Sequence, residues 1–316
     1  SGFDITVASE IMAILCLAED IDDLEARLGK IVIGRRRDKT LVTAANLGAA
    51  GSMTVLLKES LHPNLVQSLE HNPAFVHGGP FANIAHGCNS VSATRAALAL
   101  SDIVVTEAGF GADLGAEKFI NIKCRQSGLR PDAAVVVCTL RAMKMQGGVA
   151  KDNLATPNNQ AVEAGFINLQ YHIKNLQHFG LKPIVCINHF PTDTTKELNL
   201  LKALCQRQGA KVAIASHWAN GGEGATELAE LVLEALGEET HIQMMYDDEL
   251  SLQEKVEAVA TNIYHASGVD FTATAARDLR LFEEAGFGFL PVCIAKTQYS
   301  LTVDPKQTGV LPEEHR

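Results

Sequence analysis

Three stretches of this 316-residue chain carry side chains and spacings that chemistry can use. The first runs Val105-Thr106-Glu107-Ala108-Gly109-Phe110-Gly111-Ala112-Asp113-Leu114-Gly115-Ala116-Glu117-Lys118, a β-branched run feeding a glycine-rich loop and then a helical pattern. Glycines admit close backbone approach, and the free N–H groups at a helix start attract anions, so the arrangement suits a phosphate or a carboxylate. The G-x-G-x-x-x-G spacing is one residue off the dinucleotide fingerprint. The next expected strand, 133–139, does not end on the acidic residue that would hold a ribose hydroxyl. A tight turn with no ligand fits the local pattern too.

The second stretch is Phe75-Val76-His77-Gly78-Gly79-Pro80-Phe81-Ala82-Asn83-Ile84-Ala85-His86-Gly87, again strand, turn and helix, with Asn83 placed to cap the helix. His77 falls at the carboxyl end of its strand, where open α/β sheets bind ligands. An imidazole there serves as general acid, general base or phosphate donor, or as a hydrogen-bonded structural residue. His86 is expected one turn into the helix, and the two histidines lack a third ligand at metal-site spacing. The third constellation joins Ile187-Asn188-His189-Phe190-Pro191-Thr192-Asp193 to Ser216-His217-Trp218-Ala219-Asn220-Gly221-Gly222-Glu223-Gly224. Only 5% of the chain is aromatic, and its one Trp lies in this polar, glycine-rich turn. An aromatic ring in such a place is costly unless it stacks on something. Phe190 and Trp218 at adjacent strand ends can clamp a flat heteroaromatic ligand; packing that closes the loops is the other reading.

Several chemistries lack their signatures. No G-x-x-x-x-G-K followed by Ser or Thr occurs, Gly29-Lys30 lacking both the earlier glycine and the hydroxyl, and neither a G-x-S-x-G elbow nor an H-E-x-x-H helix is present. The net charge is −10 and the densest basic run, Arg35-Arg36-Arg37, is three residues long, which argues against nucleic-acid binding. Seven cysteines without a C-x-x-C pair, several in apolar runs such as Val135-Val136-Val137-Cys138, read as buried thiols of a reducing compartment. No apolar run approaches the roughly 18 residues of a membrane span and no signal-like start is visible, so the sequence reads as cytoplasmic. With 47% hydrophobic and 20% charged residues, a folded soluble protein is expected rather than disorder.

Positioning these stretches requires alternating strands and helices. Short β-branched runs at 31–33, 74–77, 103–106, 133–139, 184–188, 212–215 and 292–295 alternate with helical patterns at 6–17, 85–100, 115–125, 161–179, 194–208, 226–236 and 251–264. This is the order of βαβ units, so the expected fold class is α/β, with a mainly parallel sheet flanked by helices. The strands lack polar alternation, which predicts burial on both faces. In the last helix Leu252, Val256, Val259 and Ile263 form one apolar face. A polar, turn-rich segment at 151–159 precedes the long helix, and the expected domains are 1–172 and 173–316. The tail from Asp304 is expected to be irregular.

The three stretches resemble the formate–tetrahydrofolate ligase family. Residues Phe75 to Ser90 and Val105 to Phe119 are similar to long family signatures nearly residue for residue, and the likeness runs from Gly2-Phe3-Asp4-Ile5-Thr6 to Tyr299-Ser300-Leu301. The resemblance implies a P-loop NTPase-like core, here incomplete, with a second α/β domain that contributes a folate clamp. It implies ligation of formate to N10 of tetrahydrofolate through formyl phosphate, with ATP as substrate, Mg²⁺ and a monovalent cation, in a homotetramer. By motif it places Phe190, Pro191 and Trp218 around the folate. Phe110, Ala112, Asp113, Leu114 and Gly115 fall in the formyl phosphate loop, and His77, from its place at a strand end, remains the histidine expected to be catalytic. The family's P-loop and a basic residue that holds formyl phosphate would precede Ser1, and a further segment would follow 299–301. The chain is therefore expected to be the central part of a longer ligase, inactive without the P-loop segment or a companion chain, because phosphoryl transfer depends on positioning and charge neutralisation. The alternative is a non-catalytic folate- or nucleotide-binding protein derived from the same fold.

Overall fold

The structure, a computed structural model, describes residues 8–312 and 314–316. The family-like stretch at 2–7 and the first two residues of the helix expected at 6–17 lie outside the described residues. The chain divides into two compact units. One takes its described residues from Ser1–Phe110, Leu114–Leu129 and Ala273–Lys296, the other from Gly111–Asp113, Arg130–Thr272 and Thr297–Arg316. Among the described residues no helix is long and apolar enough to cross a membrane.

In the first unit, α1 (Glu10–Leu17) and α2 (Ile21–Gly29) start at the caps Ser9 and Asp20, whose side chains accept N–H bonds from Met12 and Asp23. Their apolar stripes bury Leu15, Ala18, Leu24 and Leu28 against Met53 and Leu57 of α3 (Ala50–Leu57). The strands here pair antiparallel: β1 (Val32–Arg35) with β2 (Leu41–Thr43), and β3 (Asn64–Gln67) with β4 (Pro73–Val76). The strands expected at 31–33 and 74–77 are therefore hairpin arms, joined to their partners by turns too short for a parallel crossover. They are also largely exposed, not buried on both faces. Residues 103–106 and 292–295 form no strand among the described residues. The helix expected from residue 85 begins only at α4 (Val91–Leu100), capped by Ser90 and not by Asn83. Gly87, at φ +63°, takes the chain through a left-handed turn that a helix cannot contain. The helix expected at 115–125 is present but wound mostly as π-helix, over Ala112–Ala116 and Phe119–Cys124, before a last turn α5 (Arg125–Ser127).

The second unit holds the parallel sheet. Strands β5 (Ala134–Cys138), β6 (Pro183–Asn188) and β7 (Lys211–Ala215) lie in that order, with Cys138 opposite Ile187 and Asn188 opposite Ala215. Helices α6 (Leu140–Gln146), α7 (Asn159–His178) and α8 (Thr195–Arg207) bury Leu140, Met143, Phe166, Leu169, Ile173, Leu201 and Leu204 with the strand residues Val185, Ile187 and Val212. The unit also contains α9 (His217–Asn220), α10 (Thr226–Leu236) and α11 (Leu252–Asn262). Central β6 is buried on both faces as its apolar run predicts, whereas edge strand β5 leaves Val135 40% and Val137 63% exposed. The expected α/β build, a parallel sheet flanked by helices, is thus present in three strands, and among the described residues the remaining strands add two antiparallel hairpins outside it.

One buried carboxylate ties this unit together. Glu197 and Lys144 have fully buried side chains 3.3 Å apart. Glu197 Oε1 also accepts the N–H of Asn158, the cap of α7, at 2.8 Å, and its Oε2 accepts the Thr194 hydroxyl at 2.6 Å in the capping box of α8. The starts of α7 and α8 and the body of α6 thereby meet at one side chain. Burial alone would raise the Glu197 pKa, but the bonds from Thr194, Asn158 and Lys144 outweigh it and hold the carboxyl below its ordinary 4.5. A carboxyl with a lowered folded pKa stabilises fully above about pH 4.5 and loses that contribution as pH falls through the folded value. Glu197→Ala is expected to cost about 3–5 kcal/mol, since the Lys144 ammonium would stay buried with the Thr156 carbonyl but without its counter-charge. In Glu197→Gln the deficit, measured by urea denaturation, should shrink as pH falls below 4.5. A deficit that grows in acid would refute the assignment.

Candidate functional site

His77 follows directly on β4 and is buried, 7% exposed. Its Nδ1 lies 2.5 Å from the Ser90 hydroxyl and its Nε2 2.6 Å from the Ser60 carbonyl. Both ring nitrogens are therefore engaged by protein, and the ring fastens the cap of α4 to the turn before β3. His86 lies in the loop before α4, also buried. Burial first, then the ammonium groups of Lys123 and Lys118, pushes it down to about 4, so it is neutral at physiological pH. Lys123 itself donates to Asn89 Oδ1 and Thr94 Oγ1, each at 2.8 Å. All seven cysteines are free, and burial raises Cys16 to about 11 and Cys88 to about 12, leaving thiols of little nucleophilic character. Cys293 departs from the expectation of uniformly buried thiols, being exposed.

The glycine loop shows which of its atoms can meet a ligand. Gly109 N–H donates to the Gly87 carbonyl at 2.8 Å. At Gly115 any β-carbon would collide with the Gly109 carbonyl oxygen, so a glycine is required there by close backbone approach. Ala112, Asp113, Leu114 and Gly115 are buried. Phe110 is the opposite: 59% exposed, with a left-handed backbone at φ +62°. Such a conformation costs a bulky residue on the order of 1–2 kcal/mol, and strain of this kind collects at ligand sites. Asp113 lies 3.8 Å from Nδ1 of His172 on α7, and a β-carbon on Gly111 would come within 2.6 Å of Asp113 Oδ1 and 2.7 Å of His172 Cε1. Sequence reading missed His172, because the mid-helix pattern of α7 carries no sign that residues 111–113 pack against it. A side chain introduced at Gly111 would therefore strike Asp113 and His172 before any ligand.

The aromatic pair stands where its strands end. Asn188 and Ala215 close the β6–β7 register, and His189 N–H donates to the Ala215 carbonyl at 2.9 Å, binding the two turns at their roots. Phe190, half-buried, is fixed by a tight turn: Asp193 Oδ2 accepts the Phe190 N–H at 2.8 Å, and Asp193 N–H donates to the Phe190 carbonyl at 2.9 Å. Pro191 is exposed. Trp218 sits on the short α9, 77% exposed, in a loop closed by the Ser216 N–H to Gly224 carbonyl bond of 2.9 Å. One neighbour escaped the sequence reading. Arg141, in the first turn of α6, lies over Phe190 with its guanidinium carbon 4.5 Å from the ring centroid. Among the described residues no three His, Cys, Asp or Glu side chains converge to hold a metal ion, so no residue is assigned to Mg²⁺ or a monovalent cation.

Comparison with known proteins adds to this geometry. A family model described as formate–tetrahydrofolate ligase matches residues 1–316. Curated relatives bearing that same name are 58% identical over 315 residues in Maricaulis maris, 57% identical over 315 residues in Rhizobium etli and 55% identical over 316 residues in Hyphomonas neptunium. The matches cover 99–100% of this chain but only 56–57% of each relative. The chain thus spans little more than half their length.

If the Phe110 backbone is held for a ligand and not for packing, Phe110→Asn, which tolerates the left-handed turn, should leave stability unchanged or raise it by up to about 1 kcal/mol. A loss larger than that in calorimetry would mean the ring packs structurally.

Proposed function

This chain belongs to the formate–tetrahydrofolate ligase family, and from that premise we propose that it supplies the folate and formyl phosphate side of an ATP-dependent carbon–nitrogen ligase. In the proposed reaction a formate oxygen attacks the γ-phosphorus of ATP and ADP leaves. N10 of tetrahydrofolate then attacks the formyl carbon, inorganic phosphate leaves, and N10 gives up its proton. Phe190 and Trp218 take the two faces of the pterin, with Pro191 against its edge. The observation that carries the reading is the exposure of the chain's one Trp at a strand end directly beside that of Phe190. Leaving that ring in water is costly unless a flat partner covers it.

For the anion, the exposed Phe110 and the backbone of 112–115 are the groups assigned to formyl phosphate. Residues 112–115 are buried as a whole, and the assignment rests on backbone N–H donors at the start of this helical segment rather than on side-chain contacts. His77, held between Ser60 and Ser90, enters as a positioning residue for the turn that follows β4. The parallel sheet with helices on its faces supports the P-loop NTPase-like core that the resemblance implies. The 316 residues contain no P-loop motif, so handling of the ATP phosphates is assigned to residues outside this sequence, and the chain alone is expected to be inactive. Mg²⁺ would supply charge neutralisation at the phosphates when bound. A tetramer is the assembly proposed.

Tetrahydrofolate should quench the fluorescence of Trp218 in the isolated chain, and Phe190→Ala should weaken that binding by roughly 1–3 kcal/mol, the scale of stacking on a heterocycle. Joining the chain to a P-loop segment from one of the relatives should yield ATP- and formate-dependent synthesis of formyl-tetrahydrofolate. Binding without any synthesis in the joined protein would favour a non-catalytic folate-binding role, and absence of binding would remove the clamp.

A further inference from the structure

The loop that carries Phe190 contains more unsatisfied polar chemistry than its fold requires. Buried atoms without a hydrogen-bond partner among the described residues include Nε of Arg141, Oδ1 of Asn188 and Oδ1 of Asp193, all on or beside this one turn. A native structure leaves few such atoms, and three around one aromatic ring mark a place where energy is spent on something other than folding. Arg141 is the most informative of them. Its guanidinium lies 4.5 Å from the Phe190 centroid, while its one side-chain hydrogen bond among the described residues, from Nη2 to the Thr192 hydroxyl, is long at 3.5 Å. The guanidinium thus lies over the ring with one long hydrogen bond beside it.

Two consequences follow from elementary chemistry. A planar cation and a flat ligand cannot occupy the same face of one ring, so a ligand that stacks on Phe190 must take the face away from Arg141. A cation on one face also draws the π-density of the ring toward itself. The opposite face then becomes electron-poorer and stacks better on an electron-rich heterocycle than on an electron-poor one. A tetrahydropterin, with its amino-substituted pyrimidine conjugated to reduced nitrogens, is electron-rich. The fully oxidised pterin of folic acid is not.

We propose that Arg141 is a positioning and specificity residue of the pterin clamp, closing one face of Phe190 and biasing the other toward the reduced form of the ligand. This rests on the folate reading of the Phe190–Trp218 pair. α6 aims Arg141 at the ring from a fixed start: the Thr139 side chain caps the helix by accepting the Ala142 N–H at 3.0 Å, and Lys144 is pinned to Glu197 one turn further on. Arg141 is thus preorganised and need not be ordered by the ligand.

The test is a fluorescence titration of the chain with tetrahydrofolate and, separately, with folic acid, read at Trp218 and corrected for ligand absorbance. Wild type, Phe190→Ala, Arg141→Met and Arg141→Lys are compared, each with its melting temperature. Arg141→Met, which keeps the length of the side chain but not its charge, should weaken tetrahydrofolate about three- to ten-fold and folic acid less, so that the preference for the reduced ligand contracts. Arg141→Lys should lose part of the affinity, because the planar stack is gone, but keep the preference, because the charge remains. A residue that merely supports the loop would weaken both ligands equally and would not be rescued in preference by Lys. Should Arg141→Met fail to fold, the preference retained or lost in Arg141→Lys decides. Unchanged or tighter tetrahydrofolate binding in Arg141→Met, with Phe190→Ala still impaired, overturns the role of Arg141 and leaves the clamp standing. No quenching in wild type overturns both.

Discussion

The arrangement of the second unit depends on a carboxylate removed from water. Glu197 has four engagements, to Lys144, the Asn158 N–H and both the hydroxyl and the N–H of Thr194. A buried ion pair is weak evidence for stability in itself, since desolvation consumes most of what attraction returns. Its value here is geometric. Thr194 ends the turn that begins at Phe190, and Lys144 lies one helical turn beyond Arg141, so the same carboxylate fixes both the ring and the cation above it. Replacing the pair by apolar residues could preserve the core and still release the register between α6 and the Phe190 turn.

Around that knot the unit divides its labour conventionally for an α/β sheet. The buried strand β6 and the faces of α7 and α8 supply the hydrophobic free energy. The turns at the carboxyl ends of the strands supply the exposed, strained and unsatisfied groups. Trp218 in solvent forgoes the burial its ring offers, and the unpaired Oδ1 of Asp193 costs stability where it stands; in the other unit the left-handed backbone of Phe110 does the same. Their cost is the physical argument for ligands at these places, and it is independent of the family to which the chain belongs.

The pattern at 194–208 was readable as a helix because Thr194 and Glu197 stand at capping-box spacing, and α8 spans Thr195–Arg207. Strand β6 was readable from an unbroken apolar run bounded by Pro183 and Asn188. The neighbouring placement of Phe190 and Trp218 followed from the expected βαβ order. Runs such as 103–106, equally apolar, form no strand among the described residues, because composition reports burial preference and not pairing. The antiparallel partner of β4 was missed since Asn64–Gln67 carries little β-branching, and the π-winding near 112–124 has no composition signal at all. Long-range contacts were the hardest: 51 residues separate Arg141 from Thr192, and nothing in either neighbourhood names the other.

If Phe190 and Trp218 clamp a folate at the carboxyl ends of β6 and β7, hydrogen exchange of the chain with and without tetrahydrofolate will show it. Protection should rise at 188–193 and 216–224 and remain unchanged in the hairpin at 64–76. Protection confined to other segments, or none at saturating ligand, would contradict the account.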